Sequence, residues 1–429
     1  MKEIRVGICG LGTVGSGTFN LIQNNAQEIK RKTGGQVSIL QVACRRPHPD
    51  CDLSGVEVTT DLFEVANNPN IDIVIELIGG TDTALELVKT CFANKKHVVT
   101  ANKALIAMHG QELFGLASKA GVCLRFEAAI AGGIPIVKAV REGLSANKIE
   151  FLAGIINGTT NFILTEMEAA GNREFAEVLK EAQDLGYAEA DPTFDIEGID
   201  AAHKLTILSS IAFGVPLRFD AMYLEGISKI TVQDIKYADE LGYKIKHLGI
   251  TTKTDTGVDL RVHPTLIEKS QMLAQVNGVM NAVLVGSDAA GQTMYYGAGA
   301  GAGPTASSVV ADIVDVLRSD GNDSIANLGF VDGALEELPI VNINGIQSAY
   351  YLRLGVMDKP GVLAKISTIL SKHQISVELI IQKDAGHGQV PIVLITNVVI
   401  EQSLREALAD LQNLDEVLDK IAFIRVSSF

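Results

Sequence analysis

The sequence predicts an α/β protein in three parts. These are a Rossmann-type doubly wound parallel domain, an α+β domain with a mixed sheet, and a C-terminal βαββαβ module of ferredoxin-like order. Three observations predict this. The apolar run Ile4 to Cys9 feeds directly into Gly10-Leu11-Gly12-Thr13-Val14-Gly15 and then into a helical stretch. A second glycine-rich segment, Tyr296 to Ala306, stands before another helix near the end of the middle part. From Ala349 the apolar pattern reads strand, helix, strand, strand, helix, strand. The expected boundaries are 1–135, 136–318, a linker over 319–345, and 346–429.

Composition excludes several classes. A chain of 429 residues with 47% hydrophobic and 20% charged residues has ample material for more than one core. Its formal charge of −15 argues against a nucleic-acid partner, which needs a basic face. No apolar run is long enough to span a membrane, and the opening MKEIRVGICG reads as a strand, not a secretory leader. The five cysteines lack any C-x-x-C pair and read as buried thiols, so a reducing cytoplasm is expected. The scattered histidines suggest no transition-metal site.

In the first part each glycine of the 10–15 loop has a physical task. Gly10 makes the tight turn, Gly12 lets backbone approach a pyrophosphate, and Gly15 lets helix and strand pack closely. A helix from Thr13 to Arg31 would aim its first N–H groups at the phosphates, so Gly10, Leu11, Gly12, Thr13, Val14 and Gly15 are candidate cofactor contacts. The second strand, Val37 to Cys44, ends in Arg45-Arg46, where an NAD-selective site usually carries an acid. Arg45 is the candidate for a 2′-phosphate, which favours NADP over NAD; a solvated loop arginine is the other reading. Strands at Ile71–Leu77 and His97–Thr100 flank a helix at 84–94. Lys103 follows the second of them, at a carboxyl end where it can face nicotinamide and substrate. A strand at Val122–Glu127 leads to Gly132-Gly133-Ile134-Pro135, which reads as a hinge.

The middle part opens with a strand at Ile149–Ile156 and the polar turn Asn157-Gly158-Thr159-Thr160-Asn161. At a helix start such groups hold a carboxylate or simply cap, so Thr159 is a candidate substrate contact. A helix at Phe175–Leu185 delivers the chain to the carboxylates Glu189, Asp191, Asp195 and Glu197. The next helix is expected to be capped by Asp195 and ended by Gly214 and Pro216. On it Asp200 and Lys204 share one face. Two readings stand: a lysine tuned by burial and a carboxylate into a proton donor, or a surface ion pair worth about 0.3–0.5 kcal/mol. Strands follow near Lys244–Thr251, Val258–His263 and Ala282–Ser287. The Tyr296–Ala306 loop is either a second ligand contact or a flexible hinge, and the helix 307–317 behind it is placed to pack back on the first domain.

Several of these blocks together resemble the homoserine dehydrogenase family: GLGTVG, TANKAL, EAAIAGGIP, GIINGTTN, YAEADPTFDIEGIDAAHKL, RVHPTLI and GAGPTASSVVAD. They cover about residues 3–317 in order. The resemblance implies reversible NAD(P)-dependent reduction of L-aspartate 4-semialdehyde to L-homoserine. It implies Lys204 as proton donor, Lys103 between nicotinamide and substrate, and Glu189 on the substrate's amino group. Asp195 and Asp200 would shape the pocket and Gly301 would touch the cofactor. It also implies a sodium or other monovalent cation near the hinge, at Glu127, Ile130, Gly132 and Ile134.

The last part, with Tyr350-Tyr351-Leu352-Arg353-Leu354 and the turn Asp358-Lys359-Pro360-Gly361, resembles the ACT family of amino-acid sensors. That resemblance implies an effector site at Asp358 and Gly361, with threonine as the expected effector; a dimerisation module without ligand is the alternative. The resulting expectation is a feedback-regulated, cytoplasmic homo-oligomer, dimer or tetramer, in threonine, methionine and isoleucine biosynthesis. Removal of residues 346–429 is expected to leave activity and abolish the effector response. Two competing readings are a non-enzymatic amino-acid-binding protein on a degenerate dehydrogenase fold and a hydroxy-acid dehydrogenase built on a histidine–carboxylate pair.

Overall fold

The computed structural model describes residues 2–170, 173–319, 327–331, 333–382 and 389–429. The chain first builds β1 (Lys2–Cys9), α1 (Thr13–Asn24), α2 (Ala26–Thr33), β2 (Gly35–Ala43), β3 (Glu57–Thr59) and α3 (Leu62–Asn67). It continues with β4 (Ile73–Glu76), α4 (Asp82–Ala93), β5 (His97–Thr100), α5 (Lys103–Ala120) and β6 (Leu124–Arg125). The six strands pair in the order β3-β2-β1-β4-β5-β6, and every pairing is parallel. The order reverses between β1 and β4, which opens a crevice at the carboxyl ends of those strands. The long helix expected after Gly12 is two helices with a break at Asn25, where Asn24 and Asn25, poor helix formers, meet.

A hinge turn leads into α6 (Ile136–Lys138), β7 (Ile149–Ile155), α7 (Gly158–Ala170), α8 (Phe175–Asp184), α9 (Thr193–Ile196) and α10 (Ile199–Phe213). Then come β8 (Tyr223–Leu224), α11 (Val232–Glu240), β9 (Tyr243–Thr254), β10 (Gly257–Glu268), β11 (Met280–Ser287), β12 (Gly291–Ala298) and α12 (Ala302–Arg318). The final stretch forms β13 (Gln347–Met357), α13 (Val362–Lys372), β14 (Val377–Gln382), β15 (Gln389–Thr396), β16 (Val399–Ile400), α14 (Glu401–Gln412) and β17 (Ala422–Val426).

Helix α10 is buried along almost its whole length, from Asp200 to Phe213. Its Leu205, Leu208 and Ile211 share one core with Val258, Leu260 and Val262 of β10 and with Leu105 and Leu113 of α5. Helix α10 is thereby pressed between the second sheet and one side of the parallel domain. On the other side α12 fills the helical layer: Val309, Ile313 and Val316 pack with Ile4, Val6, Ile8 and Phe19.

The last module does not sit apart behind a linker. The second sheet runs β12-β11-β7-β9-β10-β17-β13-β15-β14 without interruption. The join is the parallel pair β10–β17, with Thr265 opposite Arg425 and Leu266 opposite Val426. Side chains reinforce it. Buried Arg425 meets Glu225 at 3.0 Å and Glu401 at 2.7 Å, and Arg353 of β13 meets Asp234 of α11 at 2.6 Å. Part of the expected linker, residues 320–326 and 332, lies outside the described residues. Further along, Val258 donates to the Pro339 carbonyl and Ile340 bridges Val258, so this stretch lies along the edge of β10. Among the described residues no helix is long and apolar enough to cross a membrane.

Candidate active site

The loop after β1 is shaped by its glycines. Gly10 has φ +100°, and a Cβ there would lie 2.6 Å from the Leu77 carbonyl oxygen. A Cβ on Gly15 would lie 2.1 Å from the Gly10 oxygen, which is why α1 can seat directly on the turn. In front of Gly12 there is open space. Gly12 is the N-cap of α1 and Gly301 the N-cap of α12, and no side chain caps either helix. The two helices touch where Gly17 faces the Ala302 carbonyl, at 2.4 Å from a notional Cβ. Two uncapped helix starts side by side, over a glycine with room in front, suit the diphosphate of a dinucleotide. Leu11 is buried beneath the loop, while Thr13 is exposed on it and Val14 half-buried. Arg45 is exposed just past β2, and no described residue pairs with it.

The chemical groups converge at the start of α10. Lys204 Nζ lies 2.6 Å from Asp200 Oδ2, and Lys103 Nζ lies 3.2 Å from Asp200 Oδ1. Lys204 also donates to the Ile156 carbonyl at 2.8 Å. The side chains of Lys204 and Asp200 are 11% and 7% exposed, which removes the surface-pair reading. Burial pulls the Lys204 ammonium below its ordinary range, against the opposing pull of Asp200. Burial pushes the Asp200 carboxyl up, but Lys204 and Lys103 outweigh it and hold the group well below the usual carboxylate range. The Lys103 ammonium stands 5.9 Å from the Phe194 ring centre.

Asn157, which the sequence suggested only as part of a polar turn, clamps the cluster. Its Nδ2 donates to Asp195 Oδ1 and to Asp200 Oδ2, both at 2.8 Å, and its Oδ1 accepts from the Thr160 N–H at 2.8 Å. Asp195 does not cap α10 as expected. Gly198, at φ +85°, is the N-cap and carries no side chain, so the carboxylate is free to take Asn157 instead. Burial raises the Asp195 carboxyl from its ordinary value, against the Asn157 hydrogen bond.

Other candidates stand further out. Thr159 Oγ1 donates to the Tyr187 carbonyl at 2.6 Å. Glu189 is exposed on the turn after α8, where its carbonyl accepts from Gln183, and it makes no hydrogen bond to the cluster. Glu127, Ile130, Gly132 and Ile134 are buried in the hinge. Here the Glu127 carboxylate accepts from the N–H groups of Val137 and Lys138. The Gly132 carbonyl accepts from Ser308 at 2.7 Å, and Ala131 and Gly132 are both left-handed. Asp358 and Gly361 lie on an exposed turn, with Gly361 as N-cap of α13 at φ +90°. His203 packs between Phe194 and Phe219 and its Nδ1 has no partner among the described residues. Burial brings that imidazole down to about 4, and among the described residues it makes no hydrogen bond or ion pair with a carboxylate of the kind a hydroxy-acid dehydrogenase would need.

Comparison with known proteins agrees with this geometry. Residues 135–314 match the family model described as homoserine dehydrogenase, and residues 10–127 match its NAD-binding domain. Residues 350–416 match the ACT domain. A homoserine dehydrogenase of Pseudomonas aeruginosa is 59% identical over 431 residues, covering 99% of each chain. The crystal structure of a homoserine dehydrogenase from Thiobacillus denitrificans superposes with a TM-score of 0.95 at 53% identity, over 100% of this chain and 99% of that one. A hyperthermophilic archaeal homoserine dehydrogenase in complex with NADPH aligns at TM-score 0.62 and 25% identity, over 73% of this chain and 97% of that one.

Proposed function

The chain belongs to the homoserine dehydrogenase family, an NAD(P)-dependent oxidoreductase carrying a C-terminal ACT domain, and from that membership we propose how its side chains divide the work. The reaction is the reversible reduction of L-aspartate 4-semialdehyde to L-homoserine. The observation that carries the assignment is the Asp200 carboxylate, bonded by Lys204 on one oxygen and facing Lys103 across the other.

The bound nicotinamide supplies the hydride. Lys204 gives its proton to the carbonyl oxygen as negative charge develops there, and takes it back in the oxidation. Asp200 opposes the fall that burial imposes on the Lys204 pKa, and the Ile156 carbonyl fixes the direction of Nζ. Lys103, at the carboxyl end of β5, stands between nicotinamide and substrate. Glu189 on the exposed turn takes the substrate ammonium, and Thr159 at the start of α7 lines the carboxylate end. Asp195, held by Asn157, closes the polar wall. Gly10 to Gly15 and Gly301 would hold the cofactor's diphosphate.

Arg45 selects the 2′-phosphate, so NADP is preferred over NAD. A monovalent cation such as sodium would be held at the hinge by the carbonyls of Ile130, Gly132 and Ile134 beside Glu127. The double left-handed turn at Ala131 and Gly132 supports this, because it folds successive carbonyls toward one side. The ACT domain takes threonine at the Asp358–Gly361 turn in a cytoplasmic homo-oligomer, a dimer or a tetramer.

The test is homoserine oxidation with NADP and with NAD, each with and without threonine. Threonine-suppressed activity that is stronger with NADP is expected. Activity indifferent to threonine would remove the effector assignment, and equal use of both cofactors would remove the role of Arg45.

A further inference from the structure

Glu76 ends β4 and is fully buried, yet it carries a carboxylate. In the sheet it stands opposite Cys9 of β1 and Thr100 of β5, beside the point where the strand order reverses. Its Oε1 accepts from the Ile78 N–H at 3.0 Å and its Oε2 accepts from Thr100 Oγ1 at 2.6 Å. Thr100 Oγ1 in turn accepts from the Asn102 N–H at 2.9 Å. Asn102 then reaches both ways. Its Nδ2 donates to the Gly80 carbonyl at 2.6 Å, and its Oδ1 caps α5 by accepting from the Leu105 N–H at 3.1 Å. The next residue is Lys103, with its ammonium against Asp200.

A buried carboxylate is expensive unless its lone pairs are used. This one joins two turns that are separate in sequence, Ile78 to Gly80 and Thr100 to Lys103. Gly79 and Gly80 are both left-handed, at φ +70° and +71°, so the first turn has little stiffness of its own and depends on an anchor. We propose that Glu76 is a positioning residue for the reaction. It locks the two turns together through Thr100 and Asn102 and so fixes where Lys103 stands relative to Asp200. Glu76 touches neither substrate nor cofactor. This rests on the roles given above to Lys103 and Asp200.

The test compares Thr100→Val, which deletes the hydroxyl relay and keeps the shape, with Thr100→Ser, which keeps the hydroxyl. Glu76→Gln and Lys103→Ala are measured beside them. Thr100→Val and Glu76→Gln are expected to lower kcat on the order of ten- to a hundredfold, the scale of a small misplacement. The KM for the cofactor should stay within about threefold, and Thr100→Ser should restore kcat. Added to Lys103→Ala, Thr100→Val should cost less than about twofold more, because both act through one group. Should Glu76→Gln fail to fold, the two Thr100 variants decide the matter alone. Normal kcat in Thr100→Val, or full additivity with Lys103→Ala, would overturn the inference and leave the site assignment standing. Normal kcat in Lys103→Ala alone would overturn the site assignment and this inference with it.

Discussion

Lys103 Nζ stands 3.2 Å from Asp200 Oδ1, and this contact links the parallel domain to the helix that carries Lys204. Lys103 opens α5 at the carboxyl edge of the parallel sheet, whereas Asp200 lies in the first turn of α10. One carboxylate therefore holds two ammonium groups that would otherwise repel each other. Burial lowers the proton affinity of the buried one, and the same carboxylate opposes that fall.

Replacing Lys204 by alanine removes the proton donor while leaving Lys103 and the cofactor cradle in place. Turnover in homoserine-dependent reduction of NADP should fall by about 10²-fold or more, the usual scale for a general acid–base group. Near-normal turnover would take Lys204 out of the mechanism.

The pH dependence follows from the same pair. In the oxidation Lys204 must be neutral to accept the substrate's proton. Burial lowers its pKa from the ordinary 10.5, with Asp200 pulling the other way, so the rate should rise with pH through a midpoint below 10.5. Asp200→Asn removes the pull upward, and the rise should then move to lower pH. A kcat–pH profile of the two proteins decides the point; an unmoved or upward-shifted limb would contradict the coupling.

Asn157→Ala takes from Asp195 its amide donor and from Asp200 one of its donors, leaving Asp200 with Lys204 and Lys103. Hydrogen bonds to charged groups contribute about 1.5–3 kcal/mol, so a loss on that scale is expected in urea unfolding. Both carboxyls should also titrate higher, which moves the acid limb of the rate profile up in pH. A variant with unchanged stability and profile would show that the clamp is idle.

Arg45→Ala should raise the KM for NADP more than the KM for NAD, since only the former carries a 2′-phosphate. Steady-state kinetics with both cofactors measures this, and an equal change in the two would refute the assignment.

The join between β10 and β17 argues against the expectation that residues 346–429 can be removed without harm. Truncation would expose the edge of β10 and strip Glu225 and Asp234 of their partners Arg425 and Arg353. The truncated chain is expected to aggregate or lose activity, as seen by size-exclusion chromatography and assay. Arg425→Met, in the intact chain, should cost about 3–5 kcal/mol, the usual result of breaking a buried pair from one side. A soluble, active truncation would show the module to be separable.

Local rules made parts of this site readable in advance. Gly10 and Gly15 are legible because no larger residue fits the turn, and Asp200 and Lys204 because helical spacing alone brings them together. The contact of Lys103 with Asp200 is not encoded in any window, since the two meet only when the sheets close on each other. Asn157 reads as an ordinary turn residue, because an amide that caps and an amide that clamps carboxylates look alike in sequence. Asp195 reads as a cap for the complementary reason: Gly198, the true N-cap, leaves no side-chain signal. Strand β12 escapes because its side chains are largely exposed or half-buried and show no clean alternation. The β10–β17 join escapes because period-two patterns report a face and not a neighbour.

Helix α12 carries a consequence for how the molecule is made. Its Val309, Ile313 and Val316 complete the apolar layer over β1, although more than half the chain is synthesised between them. On the ribosome, the nucleotide-binding sheet emerges early with this face covered only in part by Phe19, Ile22 and Ile29, and it must wait for the last turn of α12 before the layer is closed. Nascent chains stalled before residue 318 should therefore remain sensitive to protease in the β1–β2 region, whereas chains released beyond it should resist.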